Sequence, residues 1–298
     1  MYKSFYGFNR NPFEIPPDPK FFFGTPRHNE ALAILSHGID RRKGFIVVTG
    51  EVGTGKTLLA RCLLQSLNWQ KISFAYVFNP ILSPLEFLQY AARDMGIANV
   101  GKTKGEVLAS FNQYLIARHQ QKSTTALIVD EAHLLNWDLQ EEIRLLTKLE
   151  TSTEKLLQIV LIGQPELDDK LNSHDLRQLK QRVALRCKLE PLTREQTQQY
   201  IERRIWFAGS HRRYNNIFSA EAIDLVHAYS QGIPRLGNTI CETSLISSFA
   251  LKHPVVQAAT IHEVAADFAL TQTGAGTEHK PVEKVTFVPR PLTNAAAQ

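Results

Sequence analysis

The sequence predicts an α/β fold: an αβα sandwich on a parallel five-stranded sheet, followed by a small all-helical lid. Three observations carry this expectation. Between residues 45 and 190, short apolar runs alternate with amphipathic stretches of helical period. A glycine-rich loop joins the first such run to the first such stretch. After Pro191 the apolar runs stop and only helical periodicity remains.

Residues 1–44 form an N-terminal unit. Phe5, Phe8, Phe13, Phe21, Phe22 and Phe23 make it too apolar for a free tail, while Pro16, Pro17 and Pro19 exclude a regular helix. An ordered extended segment packed on the core is expected, ending in a helix over 27–43. That helix has Ala31, Leu32, Leu35 and Ile39 at helical spacing, then a basic last turn and Gly44 as a stop. In the core, 45–190, the runs 45–49, 72–78, 125–129, 158–162 and 183–189 read as strands. The stretches 56–67, 84–95, 104–121, 138–150 and 174–182 read as helices. Phe45-Ile46-Val47-Val48 and Ala126-Leu127-Ile128-Val129 are continuously apolar, as strands covered on both faces should be. The lid, 191–270, has helical stretches at 193–208, 219–230, 234–252 and 259–270, with Thr193 and Ser219 as N-caps. Residues 271–298 are rich in Gly, Pro, Thr and Ala without an apolar period, which predicts a disordered tail.

Composition sets wide bounds. The 298 residues suffice for a large domain with a small companion, and 43% hydrophobic with 21% charged residues is ordinary for a folded soluble chain. A net charge of +5 permits an acidic partner such as DNA or a membrane surface but does not require one. The clusters Arg41-Arg42-Lys43, Arg203-Arg204 and Arg212-Arg213 suit solvated helix faces equally well. Cys62, Cys187 and Cys241 form no CxxC pair, which argues against a disulfide framework or zinc ribbon and for a reducing compartment. Cys62 and Cys241 fall in apolar helical patterns and are expected to be buried. The N-terminus lacks the apolar core of a signal peptide and no run is long enough to span a bilayer, so a cytoplasmic chain is expected.

Two motifs carry chemistry. Gly50-Glu51-Val52-Gly53-Thr54-Gly55-Lys56-Thr57 lies between the run 45–49 and a helix that opens with Leu58. Glycines there let backbone N–H groups turn toward phosphate oxygens, at the positive end of a helix dipole. In this pattern Lys56 reaches the β- and γ-phosphates of ATP and the Thr57 hydroxyl ligates Mg²⁺. The second motif is Asp130-Glu131 at the end of the run 125–129. Two carboxylates closing a buried strand need partners, and beside a phosphate loop Asp130 would hold Mg²⁺, mostly through water, while Glu131 polarises the attacking water. His133 completes the string DEAH, also found in helicases, but residues 191–298 are too short and too helical for a second helicase half. His133 therefore reads as a helix-start residue.

The segments FYGFNRNPF, PDPKFFF, GFIVVTGEVGTGKT, NPILSPLEFL, LIVDEAH, LLQIVLIGQPEL, LRQLKQRVALRCKLEPL and GIPRLGN follow in that order over residues 1–270. Together they resemble AAA+ ATPases of the ExeA type, and among these the ATPases of mannose-sensitive haemagglutinin (MSHA) pilus biogenesis. The resemblance implies the P-loop AAA+ version of the predicted fold and hydrolysis of ATP to ADP and phosphate. It implies Gln164 as the first sensor of the γ-phosphate and Arg235 as the second, on the lid. Arg235 follows Pro234 in a first helical turn, where the dipole opposes a cation, which suggests a phosphate partner. Arg182 matches an arginine finger directed at a neighbour's ATP; beside Arg177 and Lys180 it also suits an exposed helix end. Asn79 could restrain Glu131 or simply form a turn before Pro80, and Phe13 and Ile15 suit an adenine pocket or core packing. The implied partners are copies of the chain in a nucleotide-dependent ring and an inner-membrane pilus or secretion protein. Larger ExeA relatives continue into a membrane span and a peptidoglycan-binding domain, neither of which is in this sequence, so a peripheral attachment through that partner is expected. The runner-up is a DNA-associated regulator resembling the TniB/TnsC transposition ATPases.

Overall fold

In the computed structural model, which describes residues 2–14, 18–67, 70–174, 176–209 and 217–272, the five apolar runs pair into one sheet. The strands β1 (Phe45–Gly50), β2 (Ile72–Val77), β3 (Thr124–Val129), β4 (Leu157–Gly163) and β5 (Leu185–Leu189) are all parallel, in the order β2-β3-β4-β1-β5. Side chains alternate across a strand, so each strand feeds two cores. Val47, Leu127, Val129, Ile159 and Leu161 pack with α4 (Pro84–Asp94), α5 (Lys104–Gln120) and α6 (Trp137–Leu146). Ile46, Val48, Ala126, Ile128, Val160 and Ile162 pack with α2 (Pro26–Asp40) and α3 (Lys56–Ser66) on the other face. Helices α4 and α5 begin with capping boxes, Ser83 with Glu86 and Thr103 with Glu106, each satisfying otherwise orphaned N–H groups.

The lid consists of α9 (Arg194–Phe207), α10 (Ala220–Ser230), α11 (Pro234–Ala250) and α12 (Ala258–Asp267). Its core holds a correction. The aromatic segment was expected to be extended and packed on the sandwich core, yet Tyr2–Tyr6 forms a helix, α1, in the stretch that precedes the prolines. Tyr6, Phe8 and Phe13 are buried with Ile201, Ile205, Phe218 and Ile240 of the lid. Hydrogen bonds fix the placement: Tyr2 donates to Glu242 Oε1 at 2.7 Å and Tyr6 to the His253 carbonyl at 3.1 Å. The lid helices alone leave an apolar face open, and these rings close it. Of the N-terminal unit, α2 is the part that covers the sheet.

A second difference concerns residues 166–182. The expected helix over 174–182 is reduced to α8 (Arg177–Lys180), and α7 (Glu166–Asn172) precedes it. Pro165 with Glu166, Asp168 and Asp169 in the first turn was the available start signal. Cys187 and Cys241 are buried thiols, while Cys62 is only half-buried. The readings made for Ile15, Arg212, Arg213 and the tail beyond residue 272 lie outside the described residues.

Candidate nucleotide site

β1 brings Gly50 to the carboxyl edge of the sheet, where the chain turns through Gly53 (φ +82°) and Gly55 (φ +100°) into α3. Both glycines hold left-handed backbone that side-chain-bearing residues avoid. Inside this loop Thr54 is buried and donates its hydroxyl to the Glu51 carbonyl at 2.7 Å. The Lys56 ammonium donates to the carbonyls of Gly50 (2.8 Å) and Glu51 (3.0 Å), which holds it across the loop. Burial lowers the Lys56 pKa, and the nearby Glu131 and Asp130 carboxylates act against that shift.

Asp130, 2% exposed, ends β3 two strands away. Its Oδ2 accepts from the Thr57 hydroxyl at 3.0 Å and from the Tyr76 hydroxyl at 2.8 Å, and its Oδ1 from the Glu131 N–H at 2.9 Å. Three donors thus fix the orientation of one carboxylate. Burial first, then the Asp130 charge, pushes the Tyr76 phenol up, so the phenol keeps its proton and remains a donor. Tyr76 escaped sequence reasoning because it lies inside the apolar run of an edge strand, where an aromatic residue is ordinary.

Glu131 takes the left-handed conformation at φ +50°, a strain of roughly 1–3 kcal/mol that clusters at functional sites. Its Oε2 is buried without a hydrogen-bond partner and lies 3.4 Å from His133 Nδ1. His133 Nδ1 is also 3.5 Å from the Gln164 N–H, so this residue bridges the ends of β3 and β4 and does more than begin a helical turn. Asn79 accepts from the Ile81 N–H at 3.2 Å, which is the turn-forming role.

The sheet edge and the lid enclose a cleft of about 430 Å³. It is lined by Val52, Gly53, Gly55, Lys56, Thr57 and Leu58 of the loop and helix, by Glu131 and Gln164, and by Arg235 of the lid. The Arg235 N–H donates to the Gly53 carbonyl at 3.3 Å, tying the start of α11 to the loop. Arg182 is elsewhere. Its guanidinium donates to Thr147 Oγ1 at 2.9 Å and borders a small cavity with Gly44 and Phe45, at the start of β1. Five residue steps separate Phe45 from Gly50, about 17 Å of strand. Arg182 therefore cannot serve the phosphate loop of its own chain.

Beside the main cleft is a smaller cavity lined by Phe21, Phe22, Phe23, His28, Leu58 and Tyr200. Phe13 does not reach it; that ring is in the lid core, edge-on to Phe218 at 6.1 Å. Three lid residues of the cleft were not legible as site residues. Tyr200 donates to Asn238 Oδ1 at 2.9 Å, and the Arg204 guanidinium stacks over Phe21 (5.0 Å) and Tyr200 (5.1 Å) while donating to the Pro12 carbonyl at 2.8 Å. Tyr200 and Arg204, four residues apart on one face of α9, were the only hint. Arg204 is thus buried and not a surface cation. Arg42 is likewise engaged, with Glu154 Oε2 at 2.6 Å and the Ser123 carbonyl at 3.1 Å.

Thr57 and Asp130 offer hard oxygen donors next to a phosphate loop, which suits Mg²⁺, an ion that keeps several waters and binds one or two carboxylates plus phosphates. Among the described residues no cluster of three His, Cys, Asp or Glu forms an all-protein metal cage. No described helix is long and apolar enough to cross a membrane.

Residues 39–171 match the family described as AAA domain. General secretion pathway protein A of Aeromonas hydrophila is 40% identical over 251 residues, which cover 84% of this chain and 45% of that protein. The chain therefore spans less than half the length of that relative. The structure of the Aeropyrum pernix ORC2 protein is similar with a TM-score of 0.61 at 13% identity, over 87% of this chain and 72% of the other. The Thermotoga maritima RuvB Holliday junction branch migration motor gives 0.55 at 15%, over 86% and 73%. Cdc6p from Pyrobaculum aerophilum gives 0.61 at 16%, over 89% and 70%. At such identities these structures speak to the fold alone. Residues 39–171 thus match an AAA domain, and the fold is that of a P-loop α/β sandwich followed by a helical lid.

Proposed function

We propose that this chain binds ATP with Mg²⁺, hydrolyses it to ADP and phosphate, and uses the energy in assembling a secretion or type IV-like (MSHA) pilus apparatus at the inner membrane. One observation carries the enzymatic part: a single cleft gathers Lys56, Thr57, Glu131, Gln164 and Arg235 from the phosphate loop, two strand ends and the lid, with Asp130 bonded to Thr57. The likeness to a protein named General secretion pathway protein A supports the cellular process.

The residues divide the work. The loop amides and Lys56 hold the β- and γ-phosphates, and Thr57 and Asp130 would hold the metal. Bound Mg²⁺ would supply neutralisation of phosphate charge. Glu131 accepts a hydrogen bond from a water aligned with the γ-phosphorus, and Gln164 and Arg235 contact the oxygens on which charge accumulates. The aromatic cavity at Phe21–Phe23 and Tyr200 is where the base would lie. Arg182 is turned away from this cleft, which supports its assignment to the site of a neighbouring copy in an ATP-dependent homo-oligomer.

Calorimetry and phosphate release test the enzymatic part. Lys56→Ala should abolish ATP binding, whereas Glu131→Gln should bind ATP but turn over about 10²-fold or more slowly, since an amide polarises water poorly. Wild-type affinity in Lys56→Ala would remove the assignment. For the process, Glu131→Gln trapped with ATP should co-purify with an inner-membrane component of a pilus or secretion apparatus. Tight ATP-dependent binding to duplex DNA at physiological salt would instead establish a DNA-associated regulator, because mere surface charge loses its hold there.

A further inference from the structure

The phosphate loop is held from behind by a residue of the N-terminal unit. His28, in the first turn of α2, is 5% exposed, and its Nε2 lies 2.9 Å from the Thr54 carbonyl oxygen. Its Nδ1 lies 2.7 Å from Thr25 Oγ1, the N-cap of the same helix. The proton arrangement follows from the partners. A carbonyl can only accept, so Nε2 carries the hydrogen and donates to Thr54. Nδ1 is then the acceptor, and Thr25 donates its hydroxyl to it. The Phe22 ring stands edge-on to the imidazole at 5.9 Å, and the remaining wall is Gly55, whose added Cβ would meet Nε2 at 3.4 Å.

The consequence follows from peptide planarity. In a trans peptide the C=O of Thr54 and the N–H of Gly55 point in opposite directions. Anchoring the carbonyl toward His28 turns the Gly55 N–H away from it, and Gly55 with Gly53, Lys56 and Thr57 lines the main cleft on the far side. The glycines at 53 and 55 are free to rotate, so the loop needs something to choose its orientation. Thr54 supplies two attachments for this purpose: its hydroxyl to Glu51 on the loop itself and its carbonyl to His28.

We propose that His28 is a positioning residue of the nucleotide site, which by holding the Thr54 carbonyl aims the Gly55 amide at phosphate and makes the N-terminal unit part of the binding apparatus. This rests on the ATP-binding reading of the cleft. The aromatic segment before α2 contributes to the same arrangement, because Phe22 packs edge-on against the imidazole.

The test uses the full-length chain with two substitutions, His28→Leu and His28→Gln. Leucine keeps bulk but has no donor; glutamine can present an amide N–H at nearly the reach of Nε2. In calorimetry His28→Leu should bind ATP and ADP about tenfold more weakly, the loss of one charge-directing amide. Its KM for ATP should rise by more than kcat falls, and His28→Gln should recover most of the affinity. Wild-type affinity in His28→Leu, or equal weakness in both variants, would overturn the proposal. Lys56→Ala run alongside separates the two readings. If Lys56→Ala also binds normally, the ATP site itself is misassigned; if it alone loses binding, only the role of His28 fails. Should His28→Leu not fold, imidazole ¹⁵N shifts of the wild type decide: a protonated Nε2 with a bare Nδ1 is expected, and the reverse tautomer overturns the anchor.

Discussion

Asp130 has more donors than a lone metal-binding carboxylate needs, and the extra one is Tyr76. Because Thr57 and Tyr76 both reach Oδ2, that oxygen is fixed in direction before any metal contributes. Tyr76→Phe removes the donor and keeps the ring. It should lower unfolding free energy by about 1.5–3 kcal/mol, the range for hydrogen bonds to charged groups, measured by urea titration. No change would show that water replaces the phenol without cost. His28 supplies a pH test. Burial lowers its pKa from the ordinary value near 6.5, with the Thr54 carbonyl acting against the shift. The unfolded chain therefore takes up the proton at a higher pH than the folded one, so stability falls as pH drops through and below about 6.5. The melting temperature should decline from pH 7 to pH 5.5, and less steeply in His28→Gln. Equal slopes would assign the decline to other groups, among them His227, whose pKa burial also lowers.

Among elements, the loop and the lid meet at Gly53. A Cβ there would stand 2.8 Å from Arg235 Cβ and 2.9 Å from Ile233 Cγ2, on backbone already at φ +82°. Gly53→Ala must therefore push α11 off the loop. ATP affinity should drop about tenfold or more while the nucleotide-free protein still folds, because strain of roughly 1–3 kcal/mol falls mainly on the contact between lid and core. Unchanged affinity would mean that the lid does not need to approach the loop. The elements that were legible from sequence share one property: their residue types serve a single purpose. Val47 or Ile128 in a continuous apolar run has little to do except fill a core, and the glycines of the phosphate loop answer a backbone requirement. Helix α1 was missed because aromatic residues near prolines fit several structures, and the choice lay with a lid core far along the chain. Helix α7 was missed because only Leu167 and Leu171 are buried in it, too few to show a period. Tyr200, Arg204 and Asn238 became site residues only once α9 met α11 on the lid side of the cleft, where Tyr200 bonds Asn238.

At the scale of the molecule, Arg182 and the phosphate loop occupy opposite ends of β1, so the proposed active unit is an interface between chains. Arg182→Ala keeps its own loop and Lys56→Ala keeps a usable finger, and each alone should be nearly inactive. Mixed in equal amounts, random head-to-tail assembly pairs an intact site with an intact finger at about a quarter of interfaces. ATPase activity should reappear on mixing and rise with protein concentration; no recovery in verified mixed oligomers would count against the finger. The path of the chain between its two bodies also matters. It leaves the lid core after Phe13, passes through Phe21–Phe23 to reach the sheet as α2, and returns to the lid through Leu192. The lid is thus hung on two tethers, both bordering the aromatic cavity. A body held at two points can swing about the line between them but cannot wander, as it could on one. Both tethers border the aromatic cavity, so a swing of the lid would leave that cavity close to its pivot.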